Sequence, residues 1–132
     1  MEKNFFCPRC KGYLNVDKFI VLSAKTAKSE TGIIFFSPEI GNYTLKTNSN
    51  FKILQGEKYD FSCPMCKKKL ASDLHDNLSR IIMKEEDGKE YEILFSQIAG
   101  EKSTYKILGE SIDTYGDDKS NYINFINLSS NK

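Results

Sequence analysis

The stretch FFCPRCKGYL at residues 5–14 returns as FSCPMCKKKL at residues 61–70, and these two copies contain all four cysteines of the chain. Both copies share an aromatic residue, a Cys-Pro-x-Cys turn, a lysine and then a leucine. Such a repeat is too short to build a solenoid. We therefore interpret the copies as two halves of one clamp, and we call each copy a knuckle.

The cysteine spacing predicts a metal site. A tetrahedral metal needs four ligands that converge from different directions, and two facing Cys-x-x-Cys turns supply two sulfurs each. The proline in each turn has a fixed φ and stiffens it, and Gly12 suits a knuckle that bends tightly. The predicted ligands are Cys7, Cys10, Cys63 and Cys66.

The hydropathy pattern predicts neither a membrane span nor a signal peptide, so we expect the protein in a reducing compartment. In such a compartment cysteines bind metals more often than they form disulfides. The longest apolar runs, 19–22 and 33–36, are far shorter than the roughly 20 residues of a membrane span. The first ten residues contain no apolar stretch of signal-peptide length. We therefore expect a soluble, cytoplasmic protein with no membrane partner. Thioredoxin-like redox use calls for a single motif before a helix, so two motifs favour a metal.

The segments CPRC-KG and CPMC-KK resemble the paired knuckles of zinc ribbons and, more distantly, those of rubredoxins. In zinc ribbons the knuckles lie at the tips of β-hairpins around a structural metal, so the resemblance implies that ligand set and geometry. Two departures are visible: 52 residues separate Cys10 from Cys63, and Lys11 and Lys67 follow the second cysteines, where rubredoxin-like sequences favour glycine. The resemblance does not extend to residues 71–132.

Zinc and iron both accept four thiolates, but they imply different functions. Iron would imply a rubredoxin-like electron carrier, whereas Zn²⁺ has no redox chemistry. The departures at Lys11 and Lys67 favour Zn²⁺, with Fe as the alternative. Four cysteine ligands also leave no open position for water or substrate, which argues against metal-assisted hydrolysis.

The remaining sequence predicts a mainly β fold with short helices, in which a zinc-ribbon-like four-cysteine knuckle pair joins an antiparallel sheet. Between the knuckles, β-branched and aromatic residues predict strands. The predicted strands are FIVLSA (19–24), GIIFFS (32–37), NYTLKT (42–47) and FKILQ (51–55). A further strand is predicted at STYKIL (103–108).

A hairpin is predicted over residues 79–96, because Asp87-Gly88 is a typical dipeptide of the two-residue type I′ loop. Such a loop would pair Glu86 with Lys89 and would place Ile82 opposite Ile93. Tyr91, Ile93 and Phe95 would then share one face of the sheet with Leu78 and Ile82.

Two short helices complete the expected fold. Leu70, Leu74 and Leu78 lie at helical spacing behind a candidate N-cap at Ser72. A second helix is expected near the end of the chain, through residues 121–128. We expect one domain over 1–132, with the knuckles and their strands in 1–70 and the hairpin, third strand and final helix in 71–132.

The charge distribution bears on partners. Nineteen basic and eighteen acidic residues give a formal charge of +1, so the chain lacks the global basic field that recruits nucleic acid. A local basic patch is still present near the cysteines. Its lysines can also simply solvate the loops and offset the negative charge of the thiolates. Its residues are Arg9, Lys11, Lys67, Lys68 and Lys69, which is the pattern of a nucleic-acid-binding zinc ribbon.

Nothing in the sequence forms a catalytic constellation. His75 has no candidate nucleophile nearby and is interpreted as a surface histidine. The loop 98–102 follows a strong strand signal, and loops often carry function, but neither it nor residues 109–132 indicates a role. The sequence therefore favours a protein-interaction module with a structural zinc over an enzyme, and a nucleic-acid-binding ribbon is the alternative.

Overall fold

Ten β-strands form within residues 4–48 and 51–123, the part of the chain that the computed structural model describes. They pair antiparallel, so the predicted mainly β fold is confirmed. No helix within these residues is long and apolar enough to cross a membrane. In chain order the strands are β1 Asn4–Phe6, β2 Asn15–Val16, β3 Phe19–Lys25, β4 Thr31–Phe36, β5 Leu45–Thr47, β6 Asp60–Ser62, β7 Leu78–Lys84, β8 Glu90–Ser96, β9 Thr104–Leu108 and β10 Ser111–Tyr115.

The strands form two sheets. Sheet A has the order β1-β7-β8-β9-β10, and sheet B has the order β2-β3-β4-β5 with β6 also paired to β3. One edge of β3 pairs along its length with β4, and the other edge pairs first with β2 and then with β6. Because β2 leaves the first knuckle and β6 enters the second, both knuckles are attached to β3.

The main hydrophobic core lies between the two sheets. Sheet A contributes Phe5, Ile81 and Ile93, and sheet B contributes Leu22 and Ile34 among others. A smaller cluster lies on the opposite face of sheet A, and its fully buried members are Leu78, Leu94 and Tyr105. Sheet A therefore buries apolar side chains on both faces, and β7 contributes Leu78 to one face and Ile81 and Met83 to the other.

The predicted hairpin is present, but its loop is one residue longer than expected. The N–H of Gly88 donates to the carbonyl of Glu85 at 3.0 Å, and the N–H of Glu85 donates to the carbonyl of Lys89 at 3.1 Å. Residues 86–88 thus form a three-residue loop that ends with Gly88 at φ 88°. This is the arrangement of a type I turn followed by a left-handed glycine, not the expected type I′ turn.

The longer loop changes the register by one residue, so the predicted faces are wrong. Ile93 lies opposite Ile81 rather than Ile82. A shift of one residue moves alternate side chains to the other face of a sheet. Leu78 and Ile82 therefore lie on the face opposite Ile93, and the main core is lined by Ile81 and Met83 instead.

The strand expected over residues 51–55 is absent. Phe51 is buried, and its ring lies against Gly32 of β4, where a Cβ would come within 2.1 Å of the ring. The alternating pattern here reflects burial of single side chains from a loop, not pairing with another strand.

The helix expected through Leu70, Leu74 and Leu78 is also absent. Leu70 ends the second knuckle, where its N–H donates to the carbonyl of Phe61 at 2.9 Å, and Leu78 begins β7. Between them the Oγ of Ser72 accepts the N–H of Leu74 at 3.1 Å, which closes a side-chain turn in place of a helix N-cap. The three leucines therefore lie in three separate elements, and their helical spacing does not reflect a helix.

The C-terminal helix expected through residues 121–128 lies mostly outside the described residues, which end at residue 123. Upstream of it, β10 adds an edge strand to sheet A that was not predicted. Strands β1, β2 and β6 were not predicted either, because segments of two or three residues are too short to show a period.

Candidate metal centre

Each knuckle is a tight hairpin, and the two hairpins are built alike. Phe6 bridges Tyr13 in the first knuckle, and Ser62 bridges Lys69 at the corresponding positions of the second. The N–H of Leu14 donates to the carbonyl of the aromatic residue two positions before the first cysteine at 2.8 Å, and Leu70 makes the same bond at 2.9 Å. The sequence repeat is thus a structural repeat.

The turn inside each knuckle depends on a lysine in the left-handed conformation. Lys11 has a φ of 63° and Lys67 a φ of 67°. The N–H of Lys11 donates to the carbonyl of Cys7 at 2.9 Å, and that of Lys67 donates to Cys63 at 3.0 Å. The tight bend therefore falls at Lys11 and not at Gly12, the position expected from the sequence.

Gly12 is required for a different reason, which is the approach of the other knuckle. A Cβ at Gly12 would lie 2.7 Å from Cε and 2.8 Å from Sδ of Met65. The side chain of Met65 therefore rests on the backbone of the first knuckle, beside the cysteine cluster.

The packing of the knuckles brings the four cysteines together. The Sγ atoms of Cys7 and Cys66 lie 3.8 Å apart, as do those of Cys10 and Cys63. All four Sγ atoms lie within 4.8 Å of one another. A tetrahedral ion with metal–sulfur bonds of about 2.3 Å places its sulfurs about 3.8 Å apart. The four-cysteine group could therefore hold a metal ion and is compatible with a structural metal site.

Backbone N–H groups point at the sulfurs in both knuckles. The Sγ of Cys7 accepts the N–H groups of Arg9 and Cys10 at 3.3 and 3.5 Å. The Sγ of Cys63 accepts those of Met65 and Cys66 at 3.3 and 3.4 Å. Such bonds favour the thiolate over the thiol, and a thiolate is the form that binds a metal.

The cysteines differ in burial, and the pKa values of their thiols differ as well. Cys7 and Cys63 are fully buried, whereas Cys10 is exposed. Burial raises the pKa of Cys63 to about 12. A hydrogen bond from the backbone of Lys68, together with neighbouring thiols, lowers the pKa of Cys66 to about 7. A metal that binds here must displace a proton from Cys63 at neutral pH.

Several side chains of the two knuckles are exposed. Tyr13 is 61% exposed and packs on Phe6 with ring centroids 4.6 Å apart, while Met65 is 50% exposed. Their exposure could not be read from the sequence, which shows no periodicity within the knuckles. We call this set the knuckle surface, and it consists of Arg9, Lys11, Tyr13, Met65, Lys67, Lys68 and Lys69, all exposed.

The only histidine in the sequence contacts Tyr122 and Asn77. His75 is half-buried and packs edge-on against Tyr122, with ring centroids 4.7 Å apart. Its Nδ1 accepts the N–H of Asn77 at 3.0 Å, which closes the turn before β7. His75 therefore stabilises the turn before β7 and packs against the smaller hydrophobic cluster of sheet A, which contains Tyr122.

No protein-family model, curated protein or solved structure matches this chain. The interpretation of the cysteine cluster therefore rests on its own geometry.

Proposed function

We propose that Cys7, Cys10, Cys63 and Cys66 hold a structural Zn²⁺ and that the protein is a zinc-stabilised binding module. The observation that supports this most directly is the arrangement of the four Sγ atoms, all within 4.8 Å of one another. Four cysteines fill a tetrahedral shell, and closed shells of this kind are typical of structural zinc.

The position of the knuckles supports a clamping role. The first knuckle lies between β1, which pairs with β7 in sheet A, and β2, which pairs with β3 in sheet B. The second knuckle follows β6, which also pairs with β3. A metal held by both knuckles ties the start of sheet A to sheet B. It also closes the long loop between Cys7 and Cys63, which restricts the unfolded chain.

The composition of the knuckle surface supports a protein partner. Aromatic residues, methionine and arginine are enriched at protein interfaces, and Tyr13, Met65 and Arg9 provide all three. The basic groups of Lys11 and Lys67 complement an acidic partner. The proposed function is therefore binding of an acidic protein surface at the metal end of the molecule.

Single substitutions in the second knuckle test the metal assignment. We expect Cys66→Ser to lose bound zinc and to unfold at a lower temperature. Met65→Ser, a change in the same turn at a residue that is not a ligand, should retain one zinc per chain. Full zinc occupancy and unchanged melting of Cys66→Ser would refute the assignment.

A cross-linking experiment tests the partner. A protein cross-linked to the wild-type chain should be lost with Tyr13→Ser and Met65→Ser and retained with Leu54→Ser, which removes an exposed apolar side chain from the loop 51–55. The basic groups of the knuckle surface also favour the second candidate, single-stranded nucleic acid. In that case binding weakens steeply with salt and with Lys→Gln substitutions at 67–69.

A further inference from the structure

A cavity of about 680 Å³ lies between the two sheets. Its apolar walls come from both of them, with Ile81, Ile93 and Phe95 from sheet A and Ile34, Phe36 and Phe61 from sheet B. Small-molecule sites in proteins are mostly apolar clefts of about 300–1,000 Å³. The cavity has the size and the lining of such a site.

Three aromatic rings from both sheets meet at the cavity. The ring centroids of Phe36 and Phe61 are 5.5 Å apart, those of Phe61 and Phe95 are 5.7 Å apart, and those of Phe36 and Phe95 are 6.0 Å apart. Phe36 and Phe95 nevertheless stay only half-buried. Both half-buried rings line the cavity, so an apolar molecule bound there can cover aromatic surface.

One side of the cavity mouth is held rigidly by backbone hydrogen bonds. The N–H of Ala99 donates to the carbonyl of Glu57 at 2.9 Å, and the N–H of Gly56 donates to the carbonyl of Ala99 at 2.8 Å. The N–H of Tyr59 donates to the carbonyl of Gln97 at 2.9 Å. The loop 98–102, for which the sequence indicated no role, therefore lines the cavity and is hydrogen-bonded to residues 56 and 57.

The opposite side of the mouth is the segment that connects β4 to β5. The hydroxyl of Tyr43 lies 2.9 Å from Oγ1 of Thr104 in β9 and donates to the carbonyl of Tyr115 in β10 at 3.1 Å. These bonds join the segment from sheet B to the far strands of sheet A. Both sides of the mouth are thus fastened between the sheets.

The charges at the mouth decide what polarity a ligand carries. Glu39, Glu101 and Lys102 line the cavity. The carboxylate of Glu101 is already bonded, since it accepts hydrogen bonds from Ser96, Tyr122 and Asn121 at 2.6, 2.5 and 3.1 Å. The other two charges have opposite signs, so a charged head group would meet no uncompensated opposite charge. An uncharged polar end can instead bond to the amides and hydroxyls there.

We propose that this cavity binds a small, uncharged, largely apolar molecule, with its apolar body against Phe36, Phe61 and Phe95 and its polar end at the mouth. The cavity is too small for a folded partner, since a single helix with its side chains is already about 10–12 Å across. The proposal is independent of the function assigned to the cysteines, because it does not depend on which metal they hold.

Binding of the neutral fluorescent probe N-phenyl-1-naphthylamine to the full, metal-loaded chain tests this inference. We expect saturable binding of one probe per chain. The anionic probe 1-anilinonaphthalene-8-sulfonate, with a comparable aromatic body, should bind at least tenfold more weakly. Absence of saturable binding of the neutral probe would overturn the proposal, and equal binding of the anionic probe would overturn the charge assignment.

Two matched variants locate the binding. Ala99→Phe places a ring at the cavity wall and should weaken binding of the neutral probe at least tenfold. Ala27→Phe makes the same change in the exposed turn between β3 and β4 and should leave binding unchanged. Equal binding by Ala99→Phe and the wild type would contradict the location.

Amide chemical shifts of the wild-type chain decide the location even if Ala99→Phe does not fold. On addition of the neutral probe, the shifts should change for residues 36–43 and 95–104 and not for the hairpin loop 86–88. Changes confined to residues outside the cavity wall would overturn the proposal.

Discussion

Lys11 and Lys67, which follow the second cysteine of each knuckle, adopt the same left-handed backbone conformation, with φ of 63° and 67°. An L-residue with a Cβ is strained there, by about 1–2 kcal/mol. Each turn thus has a left-handed backbone at a residue that does not prefer it.

Replacement of Lys67 by glycine should therefore stabilise the protein. We expect Lys67→Gly to raise the free energy of unfolding by about 0.5–1 kcal/mol, since glycine adopts positive φ without strain. Lys68→Gly is the control: its φ is not positive, and glycine there should cost about 0.5–1 kcal/mol. Thermal unfolding of both zinc-loaded variants measures the difference. A lower melting temperature for Lys67→Gly than for Lys68→Gly would contradict the assigned turn.

The contact between Gly32 and Phe51 predicts a strong coupling. A Cβ at Gly32 would lie 2.1 Å from Cγ of the Phe51 ring, so Gly32→Ala should destabilise the protein by about 2 kcal/mol. In a Phe51→Ala background the same change should cost almost nothing, because the obstacle is gone. Urea unfolding of the four proteins completes the double-mutant cycle. Additive effects would show that Phe51 does not pack on Gly32.

The ion pair between Lys106 and Glu85 predicts a pH dependence. Their Nζ and Oε1 atoms lie 3.2 Å apart with both side chains mostly buried. Burial alone would lower the pKa of Lys106, but the hydrogen bond to Glu85 and its charge raise the pKa above the ordinary value of 10.5. Because the folded-state pKa exceeds the unfolded one, the pair stabilises in full from neutral pH up to pH 10.5 and loses its contribution as the pH rises through the folded-state pKa.

We therefore expect Glu85→Gln to lower the free energy of unfolding by about 0.5–1 kcal/mol at pH 8. The deficit relative to the wild type should shrink above the pKa of Lys106. Glu86→Gln, an exposed change one residue further along the loop, should have no measurable effect at either pH. A deficit that stays constant across this range would assign the effect to packing and not to charge.

Thiol ionisation predicts that acid weakens metal binding. Burial raises the pKa of Cys63 to about 12 in the absence of a metal, so protons compete with the ion for this sulfur. The melting temperature of the zinc-loaded protein should therefore fall more steeply between pH 8 and pH 5 than that of metal-free Cys66→Ser. Parallel profiles for the two proteins would mean that no metal–thiolate bond contributes to stability.

Local patterns predicted much of the fold. Strands β3, β4, β7, β8 and β9 were predicted because each contains at least five residues rich in β-branched or aromatic side chains. The clustering of the cysteines was predicted because the ligand spacing itself encodes the turn. Both signals lie within a few residues of sequence.

The predictions were wrong where contacts between residues distant in sequence determine the strand register or the position of a side chain. Gly88 is left-handed in a two-residue and in a three-residue loop alike, so the loop alone does not determine the register. The observed register places Ile81 and Met83 with Ile93 in the main core, and that core is formed with sheet B. The positions of Phe51 and Leu74 likewise depend on residues far away in sequence. The cavity could not be predicted, because it arises from the separation of two sheets.

The most direct test of the central claim is metal analysis of the protein purified without added metal, combined with its visible absorption spectrum. The account predicts one zinc per chain and a colourless solution. One iron per chain with thiolate-to-iron absorption would contradict the structural-zinc assignment, provided that iron misincorporation during expression is excluded, and would point to electron transfer. A folded protein that contains no metal and gains no stability from added zinc would contradict the clamp itself.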